Sequence, residues 1–186
     1  MIGQKLTRTL AGAAALCASW ALSAELPQGT AAPDFTTQGA LAGKVFSYNL
    51  KAALRRGPVV LYFYPKSFTQ GCTIEAHAFA EATKDFKAAG ASVIGLSADT
   101  IETQQEFSRK DCRDKFPVGV ASPAIIAAYD VHLKKADGTQ TGVSSRTSYV
   151  IGRDGKVKLV YTEMNPNEHV ARTLAAVRAL KAARRR

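Results

Sequence analysis

Residues 59–72 read VVLYFYPKSFTQGC, and this stretch decides the fold. Val59 to Tyr64 is a continuous apolar run of strand formers, placed after Gly57-Pro58 and stopped by Pro65. A strand buried on both faces of a sheet has this composition, because neither face needs the polar alternation of a half-exposed strand. Lys66 to Gly71 reads as a loop. From Thr73 to Ala89 the apolar residues Ile74, Phe79, Ala82 and Phe86 fall at helical spacing, and Gly90 ends the run. The unit is therefore strand, loop, helix, with Cys72 at the helix opening.

Outward from this unit, Ser92 to Leu96 predicts a second strand. Asp99-Thr100 caps a helix expected to run to about Arg113. Val118 to Ala121 is a short strand after Pro117, and Pro123 to Tyr129 opens a helix with proline in its first turn. Thr147 to Ile151 and Lys156 to Tyr161 form a hairpin around Asp154-Gly155. Glu168 to Ala183 is a final helix with the stripe Val170, Leu174, Val177 and Leu180. The expected class is α/β, a mixed β-sheet flanked by helices on both faces.

The chain has 186 residues, 46% hydrophobic and 22% charged, which fits one globular domain and excludes disordered and fibrous classes. The first 24 residues differ in character. Lys5 and Arg8 precede an uncharged apolar run from Leu10 to Leu22, and small residues follow at Ala21, Ser23 and Ala24. This is the plan of a secretory signal peptide, and the run is too short for a membrane span. Lipidation at Cys17 is disfavoured by Leu16, where a small residue is expected. The reading is a signal peptide over 1–24, a domain over 25–186, export to the periplasm, and no stable membrane anchor.

Removal of the leader leaves two cysteines, Cys72 and Cys112, in an oxidising compartment. They form either a structural disulfide or a redox pair, and spacing alone does not choose. Net charge is +10, or +8 without Lys5 and Arg8, and part of it sits in the tail at Lys181 and Arg184 to Arg186. Cations suit a helix C-terminus, so the tail is read as a solvated helix end and not as a nucleic-acid site. His77, His132 and His169 do not cluster and are assigned surface roles, and no Cys/His spacing points to a metal site. No cofactor is implied.

At a helix N-terminus the free backbone N–H groups favour negative charge, so a cysteine there is favoured as thiolate, the nucleophilic form. A thiolate attacking a peroxide drives charge onto the distal oxygen, and donors aimed at that oxygen lower the barrier. The Cys72 N–H, the Thr69 hydroxyl and the guanidinium of Arg146 are the candidates. Pro65 stiffens the loop and shields the site.

Pro65-Lys66-Ser67-Phe68-Thr69-Gln70-Gly71-Cys72 resembles the peroxiredoxin motif Pro-x-x-x-Thr/Ser-x-x-Cys. The stretch YFYPKSFTQGCTIEA at 62–76 is similar to the bacterioferritin comigratory protein, or peroxiredoxin Q, branch. So are APDF at 32–35, GLSADT at 95–100, FPV at 116–118 and RTSYVIGRDGKV at 146–157. The resemblance implies a thioredoxin-like fold, a hydroperoxide substrate, recycling by a thioredoxin-like or other thiol reductant, and a monomer or weak dimer. It implies that Cys72 is the peroxidatic cysteine, Thr69 the peroxide-orienting hydroxyl, Pro65 the shield, and Arg146 the stabilising cation with Glu75 beside it.

The chain departs from this branch in its second thiol. The commonest resolving position holds His77, and a second one holds Ser108. Cys112 lies four residues beyond Ser108, expected one helical turn along the same face. It is the expected resolving residue, and a one-cysteine enzyme served by an external thiol is the alternative. A thioredoxin-like disulfide carrier needs Cys-x-x-Cys, and a copper-delivery protein needs Cys-x-x-x-Cys. Thr69-Gln70-Gly71-Cys72 offers neither. A binding module that kept the fold would have no need of the Thr69, Cys72 and Arg146 set.

Overall fold

The computed structural model describes residues 25–184, so the expected signal peptide over 1–24 lies outside the described residues. Seven strands form the main sheet: β1 (Thr36–Leu41), β2 (Lys44–Asn49), β3 (Val59–Phe63), β4 (Ser92–Ser97), β5 (Val118–Val120), β8 (Thr147–Ile151) and β9 (Val157–Thr162). Their order is β2-β1-β5-β4-β3-β8-β9. The centre, β3-β4-β5, is parallel, and β8 and β9 continue antiparallel beside β3. A separate two-stranded sheet is made by β6 (His132–Lys134) and β7 (Gln140–Ser144). The helices are α1 (Leu50–Arg56), α2 (Gln70–Ala88), α3 (Ile101–Lys110), α4 (Pro123–Ala128) and α5 (His169–Ala183).

Every residue of β3 is buried, as its unbroken apolar composition requires. Side chains alternate across the strand. Val59, Leu61 and Phe63 enter one core with Leu50, Leu54, Ile126 and Tyr129 of α1, α4 and the turn after it. Val60, Tyr62 and Tyr64 enter the other core with Phe79 and Phe86 of α2, Phe107 of α3 and Val177 of α5. Each large side chain so buried contributes roughly 1.5–3 kcal/mol. The two cores are the physical content of a sheet covered on both faces. Both candidate thiols belong to the second core.

Two strand pairs and one helix were not expected from the sequence. In the β1–β2 hairpin Gly39, Ala40 and Tyr48 turn inward among partly or fully exposed neighbours, so no apolar alternation announces it. Helix α1 is too short to show a period, although Asn49 caps it by accepting from the Ala52 N–H at 2.7 Å. The β6–β7 ribbon is mostly exposed.

Two boundaries change the chemistry. Helix α2 begins at Gln70, three residues before the expected start, because Thr69 is extended and its carbonyl already accepts from the Thr73 N–H at 2.9 Å. Cys72 therefore lies inside the first turn. Helix α3 ends at Lys110, so Cys112 is not one turn along its face but in the turn that follows. There the Cys112 N–H reaches back to the Phe107 carbonyl at 3.0 Å, and Arg113 and Asp114 adopt φ of 51° and 58°. Such left-handed residues are usually Gly or Asn. With neither present before Pro117, the sequence carries no signal for this stop.

Candidate active site

Cys72 is 2% exposed and sits in the first turn of α2, where backbone N–H groups lack helical partners. The loop before it is held from below. Tyr64 donates to Gln104 Oε1 at 2.7 Å, Gln104 Nε2 donates to Ser97 Oγ at 2.8 Å, and Ser97 donates to Asp99 Oδ2 at 2.7 Å. The same carboxylate oxygen accepts from the Ser67 N–H at 2.7 Å. This chain fixes the loop of Pro65, itself half-buried, to β4 and α3. Phe68 takes φ 62° and sets its exposed ring edge-on against Phe107.

Thr69 is the N-cap of α2, yet its side chain makes no capping bond. Its hydroxyl donates to the Lys66 carbonyl at 2.9 Å. With its proton committed there, the oxygen keeps its lone pairs free to accept a hydrogen bond.

Arg146, immediately before β8, is 3% exposed and uses three nitrogens. One terminal nitrogen is 3.4 Å from Cys72 Sγ, the other is bonded to Glu75 Oε2, and Nε donates to the Met164 carbonyl at 2.9 Å. Gly71 allows this approach, because a Cβ on it would lie 3.0 Å from the Arg146 nitrogen beside the sulfur. Glu75 lies one turn after Gly71 and is fully buried. Burial raises its carboxyl to about 8 against the opposing pull of Arg146.

His169, assigned to the surface from sequence, is instead fully buried at the start of α5. Its Nε2 lies 2.8 Å from the Glu163 carbonyl, Nδ1 lies 2.8 Å from Ser148 Oγ, and Nδ1 is 3.6 Å from Glu75 Oε1. The short 3-10 turn Pro166–Glu168 ahead of α5 leads into His169, whose ring sits beside Glu75. A lone histidine at a helix start gives no sequence signal for this. His77 also departs from a purely surface role. It is half-buried and 3.3 Å from Asp111.

Cys112 is fully buried, and Cys72 nearly so. Burial raises its thiol well above the ordinary value, and Asp111 and Asp114 raise it further. Its turn is fastened to α2 on both sides, by His77 with Asp111 and by Arg113 with Glu81 at 3.2 Å. Cys72, Thr69, Arg146 and Glu75 are thus brought together, with Pro65 on the same loop. Cys112 stands in the same core, beside α2 beyond the first turn.

A buried sulfur, a guanidinium in contact with it and free N–H groups form a site for a thiolate and for the oxyanion it displaces. The model of the AhpC/TSA family matches residues 28–160. The chain belongs to this family. It is 31% identical over 163 residues to chloroplastic peroxiredoxin Q of Sedum lineare, covering 85% of this chain and 81% of that one. The solved structure of peroxidoxin BcpB from Mycobacterium tuberculosis superposes with a TM-score of 0.71 at 32% identity, covering 82% of this chain and 97% of that one. Peroxiredoxin Q of Xanthomonas campestris gives 0.67 at 29%, covering 77% and 90%. The fold is thioredoxin-like, and the protein is a peroxiredoxin, a thiol-dependent peroxidase.

Proposed function

We propose that Cys72 is the peroxidatic thiolate of this peroxiredoxin and that Cys112 resolves its sulfenic acid. The observation that carries the reading is the Arg146 nitrogen 3.4 Å from Cys72 Sγ, with Glu75 fixing the guanidinium from behind. The thiolate attacks the proximal peroxide oxygen while Thr69 accepts from the substrate O–H. Arg146 and the free N–H groups of the α2 turn stabilise the oxygen that leaves. Pro65 closes the loop over the sulfur.

The resulting sulfenic acid condenses with Cys112, releasing water and forming a disulfide. His77 lies five residues along α2 from Cys72, about 7–8 Å by helical rise. Cys112, on the turn pinned there, approaches Cys72 only after that turn or the first turn of α2 opens, since a disulfide needs Cα atoms within about 7 Å. A thioredoxin-like reductant completes the cycle. The complete burial of Cys112 favours a second reading, a one-cysteine cycle with an external thiol. Export, with 1–24 as the leader and 25–186 as the domain, follows from the leader pattern and the two-thiol chemistry. The catalytic unit is a monomer or weak dimer.

Steady-state turnover of Cys72→Ser and Cys112→Ser tests the assignment. Cys72→Ser loses turnover with every reductant. Cys112→Ser loses turnover with a thioredoxin-like reductant and keeps it with a small thiol. Unchanged turnover of Cys112→Ser with both selects the one-cysteine cycle.

A further inference from the structure

Glu75 Oε1 is fully buried and has no hydrogen-bond partner, although Oε2 is engaged by Arg146. An orphaned carboxylate oxygen in a core is costly unless a proton or a donor satisfies it. The nearest polar ring atom is His169 Nδ1, 3.6 Å away and just outside hydrogen-bonding range. The His169 tautomer is fixed from the other side, since Nε2 donates to the Glu163 carbonyl. In the neutral ring Nδ1 is then an acceptor, facing both the Ser148 hydroxyl and Glu75. A proton carried by Oε1 removes the charge that leaves this oxygen uncompensated.

The charge of the buried site changes during the reaction. With Cys72 as thiolate, Arg146 as cation and Glu75 ionised, the site holds one excess negative charge in a low-dielectric core. A proton on the Glu75–His169 pair removes it. When peroxide converts the thiolate to a neutral sulfenic acid, the same proton leaves Arg146 without a counter-ion, and Glu75 ionises. We propose that Glu75 and His169 together hold one proton while Cys72 is a thiolate and surrender it when peroxide consumes the thiolate. His169 acts as a positioning residue for the acid.

The step balances. Cys72 Sγ gives an electron pair to the proximal oxygen, the S–O bond forms and the O–O bond breaks. The distal oxygen leaves with the bonding pair as hydroxide or alkoxide and takes one proton to become water or alcohol. Sulfur is oxidised by two electrons and the peroxide is reduced by the same two. One proton is consumed per thiolate, and the pair releases one, so the bulk supplies none.

The surroundings agree. Burial holds Glu75 near 8, and burial together with Arg146 keeps His169 below its ordinary value, so the shared proton rests on Glu75 at neutral pH. The other groups facing the pair are Cys72 and Arg146, Tyr62 from β3, Tyr161 from β9 edge-on to the imidazole, Glu163 after β9, and Arg172 of α5.

The test is a single turnover of the reduced full-length domain with one equivalent of hydrogen peroxide, in weak buffer with a pH-indicator dye. Peroxide loss, thiolate absorbance and proton uptake are recorded together, and uptake is expressed per thiolate, because a thiol brings its own proton. The wild type is expected to take up almost no protons at neutral pH, rising to one per thiolate as pH passes about 8. Glu75→Gln takes up one at every pH, and His169→Leu shifts the pH of the rise. Uptake of one proton by the wild type at neutral pH overturns the proposal, and the wild-type pH series alone decides this if a variant fails to fold. An unmoved rise in His169→Leu removes the role of His169. Absence of peroxide loss contradicts the peroxidase itself and is read separately.

Discussion

Arg146 reaches Cys72 Sγ with one terminal nitrogen at 3.4 Å while Glu75 holds the other, so the cation beside the sulfur is fixed from behind by a buried carboxyl. Neither contact is interchangeable with a point charge on a flexible stem. Arg146→Lys is expected to lower kcat/KM for peroxide by roughly a hundredfold or more, the usual loss when a transition-state donor is removed. Arg146→Met removes the donor to Glu75 Oε2 and leaves a neutral buried acid short of one partner, at an expected cost of about 1–3 kcal/mol in urea unfolding.

Gly71 separates activity from stability. It is in the first turn of α2, and alanine there would bring Cβ to 3.0 Å from the Arg146 nitrogen that faces the sulfur. Alanine is the better helix former by roughly 0.5–1 kcal/mol. Gly71→Ala is therefore expected to match or exceed wild-type thermal stability while losing peroxidase rate. Equal rates for the two proteins would show that Arg146 gives way at no cost.

The buried acid and the buried imidazole impose opposite pH slopes on stability. Glu75 is raised in the folded state, so its contribution is fully present below its ordinary value of 4.5 and is lost as pH rises through about 8. His169 is lowered, so its contribution is present above the ordinary 6.5 and is lost as pH falls through its folded value. Glu75→Gln is expected to abolish the alkaline decline, and His169→Gln to reduce the acid one, in denaturant midpoints measured across pH.

The loop of the site depends on the chain Tyr64, Gln104, Ser97, Asp99 and Ser67. Gln104→Leu takes the short acceptor from the Tyr64 hydroxyl, leaving it Ser67 Oγ at 3.3 Å, and removes one donor from Ser97 Oγ, which keeps Asp99. The expected loss is about 1–3 kcal/mol, with a fall in kcat as the loop loosens. Unfolding curves and peroxide kinetics on the same protein check both.

Cys112 is guarded by two contacts on either side of it, His77 with Asp111 at 3.3 Å and the Arg113–Glu81 ion pair. Partly exposed pairs of this kind are worth about 0–1 kcal/mol each. Asp111→Asn with Glu81→Gln is expected to speed alkylation of Cys112 by no more than about tenfold to thirtyfold. Alkylation already fast in the wild type would mean that the turn is open.

The central strand and the cysteine at the start of α2 were legible in the sequence because each is written locally, and Arg146 stood out by its place in RTSYVIGRDGKV. An unbroken apolar run, a proline stop and a cysteine at a helix start need no knowledge of distant residues. What the sequence hid is long-range. Glu75 and His169 are 94 residues apart and meet only because α5 packs back on α2 and β8. The end of α3 was misplaced because Arg113 and Asp114 adopt a conformation that glycine normally signals. The β1–β2 hairpin was silent because it lies at the sheet edge and buries little.

The most direct test of attack by Cys72 and resolution by Cys112 is the intact mass of the reduced protein after one equivalent of hydrogen peroxide. A loss of about 2 Da, mapped to a Cys72–Cys112 disulfide, is the predicted result. A gain of about 16 or 32 Da on Cys72 contradicts resolution by Cys112, and an unchanged mass contradicts the attack itself.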